Sequence, residues 1–174
     1  MSRGLGDVYK RQEDIVVVDS CEVSDDFHPR FSKSRKTYEY RILNARFRNP
    51  TRRLDTYFYH YPLDTEKMSE AAKYLIGEHD FASFCGNPKM KKSTVREIYS
   101  IDISLKGSYL NMTFHGSGFL QYMVRILSGT LLEVGFGKRE ADSMQELLEA
   151  KNRSLAGATA PAKGLSLLKV HYAN

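Results

Sequence analysis

The stretch GSGFLQYMVRILSGTLLEVG, residues 116–135, is an apolar run interrupted by a single arginine. Its apolar residues recur with the helical period, so it predicts one amphipathic helix with a core-facing stripe. The stripe consists of Leu120, Met123, Val124, Leu127, Leu131 and Val134. Such a helix is stable only where a sheet or other helices cover the stripe, so the rest of the chain has to supply that cover.

Arg125 lies on the flank of this helix, about 140° from the apolar stripe by the helical period. Its neighbours one turn further on, Ser128 and Gly129, are small, and they would allow another backbone to approach. An arginine in that setting suits a bidentate pair with a buried carboxylate. Periodicity alone favours an ordinary arginine that faces solvent, so the pattern leaves both interpretations open.

The other segments alternate between strand and helix patterns. In residues 33–45, for example, Tyr38, Tyr40 and Ile42 share one face and polar residues the other. Strands are predicted at 14–23, 33–45, 56–62 and 165–172, a hairpin at 94–118, further helices at 63–77 and 141–153, and irregular structure at 78–93. This mixed order predicts an α+β domain with a mostly antiparallel sheet and two to three helices packed on one face.

Composition excludes several classes of protein. There is no run of about 18 apolar residues, so no membrane-spanning helix is predicted. Cys21 and Cys85 are isolated, which argues against a disulfide framework and favours a reducing cytoplasm. The five histidines are scattered without the spacing of a ligand set, so no metal site is predicted.

Basic segments lie beside aromatic ones along the chain. The net charge is +5, and the basic runs at 46–53 and 89–92 alternate with the aromatic segments at 26–31 and 56–62. This combination suits RNA, because cations pair with phosphates while rings stack on unpaired bases. Ordinary solvated loop charge explains the same pattern, so it does not decide between the two.

Several segments, in this order, closely resemble the TruA-type tRNA pseudouridine synthases: DFHPRFSKSRKTYEYRI, AAKYLIGEHDFASF, TVREI, GSGFLQYMVRILSGTLLEVGFG and ATAPAKGLSLLKVHY. The resemblance extends over residues 13–173. It implies half of a pseudouridine synthase fold and an isomerase that converts uridine to pseudouridine at positions 38 to 40 of the tRNA anticodon stem-loop. It also implies a homodimer, tRNA as the partner, and no cofactor or metal.

The resemblance assigns roles to individual residues. Tyr38 corresponds to the tyrosine that stacks on the target base and assists proton removal, Arg125 to the arginine that pairs with the catalytic aspartate, and Leu165 to the aliphatic wall of the base pocket. Positions that correspond to tRNA contacts are Phe27, His28, Pro29, Arg30, Phe31, Arg46, Tyr59, Pro88, Lys89, Lys91 and Lys92.

The nucleophile itself is absent from this sequence. The family carries it in an RTDAG motif that the chain lacks, and Asp19 and Asp102 have the wrong context to replace it. We therefore expect residues 1–12 to be an artefactual or disordered segment, 13–32 a strand and linker from a missing N-terminal half, and 33–174 the C-terminal synthase domain. A chain of this kind is expected to be inactive alone. The alternative is a non-catalytic module that binds tRNA or other RNA.

Overall fold

The computed structural model describes residues 15–29, 31–87 and 89–172. The chain divides into two compact units, Met1–Ser32 and Lys33–Asn174. In the first, residues 15–24 contain no strand, so the strand predicted at 14–23 is wrong over the described residues. β-branched residues favour a strand only where another strand pairs with their backbone, and here Val16 and Val18 stay exposed.

The second unit contains one sheet, whose strands are β1 (Ser34–Asn44), β2 (Tyr57–Tyr59), β3 (Gly77–Asp80), β4 (Val95–Lys106), β5 (Tyr109–Gly116) and β6 (Leu165–Tyr172). Their order is β2-β1-β5-β4-β3, and β6 also pairs with β1. Only the β1–β2 pair is parallel among the described strands. Two strands share the edge of β1 that does not face β5. Strand β6 pairs there with Ser34–Tyr40, and β2 pairs with Ile42–Asn44.

Three helices of the described chain cover one face of this sheet: α1 (Thr65–Lys73), α2 (Met123–Gly135) and α3 (Ser143–Ala150). The covered face is apolar, as the strand period predicts, and its buried residues include Tyr40, Ile42, Ile98, Leu110, Met112 and Phe114. The opposite face is mostly polar, with Thr37, Glu39 and Arg41 on β1, and carries no helix of the described residues. The predicted α+β class, with a mostly antiparallel sheet, is confirmed. The short strand β3 was not predicted, because four residues are too few to establish a period.

Helix α2 differs from its prediction in two respects. It begins at Met123 rather than at residue 116, because Tyr122 has a left-handed backbone with φ 59° and ends the irregular segment before the helix. It is also buried almost all round, including Ser128 and Thr130, whose hydroxyls donate to carbonyls one turn back. In the described part of the chain, no helix is long and apolar enough to cross a membrane.

Candidate active site

Arg125 is held by the backbone of a loop that we call the small-residue loop, residues 156–161. The Nε of Arg125 donates to the carbonyl of Ala160 at 2.6 Å, and the Ala160 amide donates to the carbonyl of Arg125 at 3.1 Å. The guanidinium carbon lies 5.1 Å from the ring centroid of Tyr122, within cation–π range. The half-buried side chain is therefore fixed in place and does not extend freely into solvent.

Two glycines permit this contact between backbones. A Cβ on Gly129 would lie 1.9 Å from the carbonyl oxygen of Ala158, and one on Gly157 would lie 2.8 Å from the Cα of Thr130. The Gly157 amide donates to the Thr130 hydroxyl at 3.0 Å. The close approach of another backbone beside Arg125, expected from the small residues, is present. None of the ion pairs between described residues involves Arg125, so its observed partner is a carbonyl.

Tyr38 and Leu165 lie on the same face of two paired strands. Tyr38 is the register partner of Leu167, and Leu165 is the partner of Tyr40, so Tyr38 and Leu165 are diagonal neighbours. Their Cβ atoms are therefore about 7–8 Å apart. The Tyr38 ring meets the edge of Phe119, with centroids 5.3 Å apart and planes at 86°.

Burial affects the chemistry of Tyr38. Partial burial raises the pKa of the Tyr38 phenol above its usual value, because the anion would lose hydration. The phenol is therefore neutral at physiological pH and keeps its proton as a hydrogen-bond donor. A half-buried neutral ring beside an apolar wall can stack against a planar ligand and donate to it.

The residues predicted to contact tRNA lie in several places. The Met1–Ser32 unit contains four of them, Phe27, His28, Pro29 and Phe31. Two others, Arg30 and Pro88, lie outside the described residues. Arg46, exposed, and Tyr59, half-buried, lie near the end of β1 that carries Asn44, a partner of Tyr59. That end is about 20 Å along the strand from Tyr38.

We call residues 89–92 the lysine loop. Lys89, Lys91 and Lys92 are exposed, while Met90 packs against the core. The loop follows Gly86, whose amide donates to the carbonyl of Gln121 at 2.8 Å, just before α2 begins. That hydrogen bond joins the segment before the lysine loop to the segment just before α2, the helix that carries Arg125.

Comparison with known proteins decides the family. The profile of the family described as tRNA pseudouridine synthase matches residues 71–173, which is more than half of the chain. The chain belongs to the tRNA pseudouridine synthase family. It is 45% identical over 160 residues to tRNA pseudouridine synthase A of Thermoanaerobacter sp. (strain X514), which covers 92% of this chain. It is 46% identical over 162 residues to the protein of that name from Bacillus licheniformis, and 44% to that from Bacillus subtilis.

These relatives are longer than the chain. It spans 66% of the length of each of the three. The matched profile, residues 71–173, includes Arg125 and Leu165 but not Tyr38. The roles of all three residues stay predictions.

Tyr40 is a residue near the site that was not predicted from the sequence. Tyr40 is fully buried, and its hydroxyl donates to the carbonyl of Pro161 at 2.7 Å, next to the residue that holds Arg125. Burial is the main reason that its pKa is raised, and nearby Tyr57 adds to the effect, while the charge of Arg125 opposes it. The available signal was the spacing of two between Tyr38 and Tyr40, which places both on one strand face.

Replacing Tyr40 with phenylalanine is expected to lower the free energy of unfolding by about 1–3 kcal/mol, because the buried carbonyl of Pro161 loses its partner. Urea unfolding followed by far-UV circular dichroism measures this. The control is Tyr109→Phe, since the Tyr109 hydroxyl accepts only a weak 3.3 Å bond from Asn49 at the far end of the sheet. Equal stability of the two variants would contradict the importance of the Pro161 contact.

Proposed function

We propose that the complete synthase isomerises uridine to pseudouridine at positions 38 to 40 of the tRNA anticodon stem-loop, and that this chain supplies one wall of its cleft. Family membership supports the reaction class, and the relatives' name supports tRNA as the substrate. The single observation that carries the proposal is the fixed guanidinium of Arg125. The small-residue loop that holds it leads, through residues 162–164, to Leu165, which lies beside Tyr38.

The reaction breaks the bond between N1 of uracil and the ribose, turns the base, and joins C5 to the same ribose carbon, so that C5 loses a proton and N1 gains one. We assign stacking on the base to the ring of Tyr38 and relay of the C5 proton to its phenol. Leu165 would exclude water from the edge of the base. The charge of Arg125 would stabilise a carboxylate nucleophile through its remaining N–H donors.

The chain has no RTDAG motif, so the carboxylate would come from sequence that is not part of it. We therefore propose that the chain alone binds tRNA without turnover. We further propose that the complete enzyme is a cytoplasmic homodimer that uses no cofactor or metal. The mild positive charge and the exposed lysines Lys89, Lys91 and Lys92 support binding to tRNA.

The test compares the chain with a fusion that adds an N-terminal half carrying the family's RTDAG motif. Unmodified tRNA is incubated with each protein, and pseudouridine is mapped by carbodiimide labelling and primer extension. We expect conversion at positions 38 to 40 with the fusion and none with the chain. Arg125→Lys in the fusion should reduce turnover by about a hundredfold or more, because lysine cannot make the bidentate pair.

The control variant is Arg139→Lys in the same fusion, since Arg139 pairs with Glu133 at the other end of α2. Its activity should stay near that of the parent. Turnover by the chain alone would overturn the assignment of the missing nucleophile. A folded fusion that binds tRNA in a salt-dependent way but converts no uridine would instead favour the non-catalytic RNA-binding module.

A further inference from the structure

A compact group of polar side chains lies on the face of the sheet away from the helices, opposite to Tyr38. We call it the histidine cluster, and it consists of Arg35, Thr37, Tyr99, His115, Lys169 and His171. These residues come from four strands, β1, β4, β5 and β6. None of them has a role in the proposed isomerisation, and none was selected from the sequence.

The two imidazoles are joined through one hydroxyl. Thr37 Oγ1 lies 3.0 Å from His115 Nδ1 and 3.3 Å from His171 Nε2, and the ring centroids are 5.4 Å apart. A hydroxyl can donate to one nitrogen and accept from the other, or accept from both when both rings are protonated. The second nitrogen of each ring, His115 Nε2 and His171 Nδ1, forms no hydrogen bond with another described residue and can donate to a ligand.

Positive charges surround the imidazoles. The guanidinium carbon of Arg35 lies 5.3 Å from the ring centroid of Tyr99. The ring centroids of Tyr99 and His115 are 5.2 Å apart. Lys169 is the register partner of Thr37, so it lies on the same face. The pKa of His171 is lowered by desolvation and by the charges of Lys169, His115 and Arg35. Neither Arg35 nor Lys169 forms an ion pair with any described residue.

Carboxylates on the same face lie further along the strands. Glu39 is two residues beyond Thr37 and is paired with Arg41. Asp102 is opposite Thr113, one same-face pair beyond His115, and Glu97 lies at the other end, where β5 has ended. The centre of the cluster therefore has an excess of cations and N–H donors, an arrangement that suits an anion.

We propose that the histidine cluster binds a phosphate group. Phosphate oxygens accept several charge-assisted hydrogen bonds at once, and the two imidazoles, the guanidinium and the ammonium together provide them. An anion would also remove the mutual repulsion of these cations and favour protonation of both rings. Since desolvation and the nearby charges lower the pKa of His171, a bound anion should offset this effect, and binding should strengthen as the pH falls below neutral. The site is independent of the isomerisation, because it lies on the other face of the sheet.

Two-dimensional NMR of the histidine rings, with inorganic phosphate as the probe at constant ionic strength, tests this proposal. We expect the signals of His115 and His171 to shift together and saturably at pH 6, with affinity about tenfold weaker at pH 8. The ring of His79, on the helix-covered side, should not respond. Single-stranded RNA with hydroxyl ends forms the second arm, because it offers only phosphodiesters.

The double variant His115→Gln/His171→Gln should weaken binding of the responding probe at least about tenfold, while the control His79→Gln binds normally. A response to RNA identifies a backbone phosphate as the ligand, and a response to inorganic phosphate alone identifies a small phosphorylated molecule. The proposal is overturned if neither probe moves the two ring signals at pH 6. It is equally overturned if those signals change only with protein concentration, since a second copy of the chain would then cover the face.

Discussion

Replacement of Gly129 by alanine is expected to lower the free energy of unfolding by about 3 kcal/mol. The added methyl group would lie 1.9 Å from the carbonyl oxygen of Ala158, where both groups belong to backbone that is packed on either side. Neither the buried helix α2 nor the small-residue loop can move without breaking other contacts. Urea unfolding measures the effect, and tyrosine fluorescence is a clean probe because the chain has no tryptophan.

The matched control is Gly118→Ala. A methyl group there would meet only the side chain of Arg96 at 3.8 Å, an ordinary contact, so stability should change by less than about 0.5 kcal/mol. The Gly129→Ala variant should also displace Ala160 and release the side chain of Arg125. If both variants unfold at the same urea concentration, the small-residue loop does not pack on α2 as described.

Replacement of Phe114 by alanine is expected to lower the free energy of unfolding by about 3–5 kcal/mol, because it leaves a cavity at the centre of the core. Phe114 is fully buried on β5 and is the register partner of both Tyr38 on β1 and Ile101 on β4. The cavity would lie beside the base of Tyr38, so the position of the tyrosine ring should become less defined. The same urea titration measures the loss of stability.

Thr113→Ala provides the comparison, because Thr113 is the preceding residue on the same strand but lies on the open face. Its effect should stay within about 0.5 kcal/mol. The loss of stability for Phe114→Leu should lie between those for Thr113→Ala and Phe114→Ala, since leucine fills part of the volume of the phenylalanine ring. If Thr113→Ala lowers the free energy of unfolding as much as Phe114→Ala does, the open face of the sheet is buried in the folded protein.

Local patterns predicted most of the strands and helices. The alternation of Tyr38, Tyr40 and Ile42 identified the buried face of β1, because a strand places every second side chain on one side. The helical period likewise identified the apolar stripe of residues 116–135. All six residues of that stripe are buried, and all but Leu120 lie in α2. The start of that helix was misplaced, because no period reveals the left-handed backbone of Tyr122.

The strand predicted at 14–23 shows where local patterns fail. Its valines favour a strand, but whether one forms depends on pairing with backbone elsewhere, which a single segment does not encode. The partner of Arg125 was undetermined for the same kind of reason. A cation next to small residues suggests a close neighbour, but only the folded chain shows that the neighbour is the carbonyl of Ala160.

Periods and motifs along the chain were enough to predict the fold class, the apolar faces and, through resemblance, the family. The hydrogen bond of Tyr40, the contact of Gly129 with Ala158 and the histidine cluster are visible only in the folded chain. Thr37 is 78 residues from His115 and 134 from His171, so no spacing could relate them. Pairing of β1 with β5 and β6 brings them together, and that pairing depends on the burial of the opposite face.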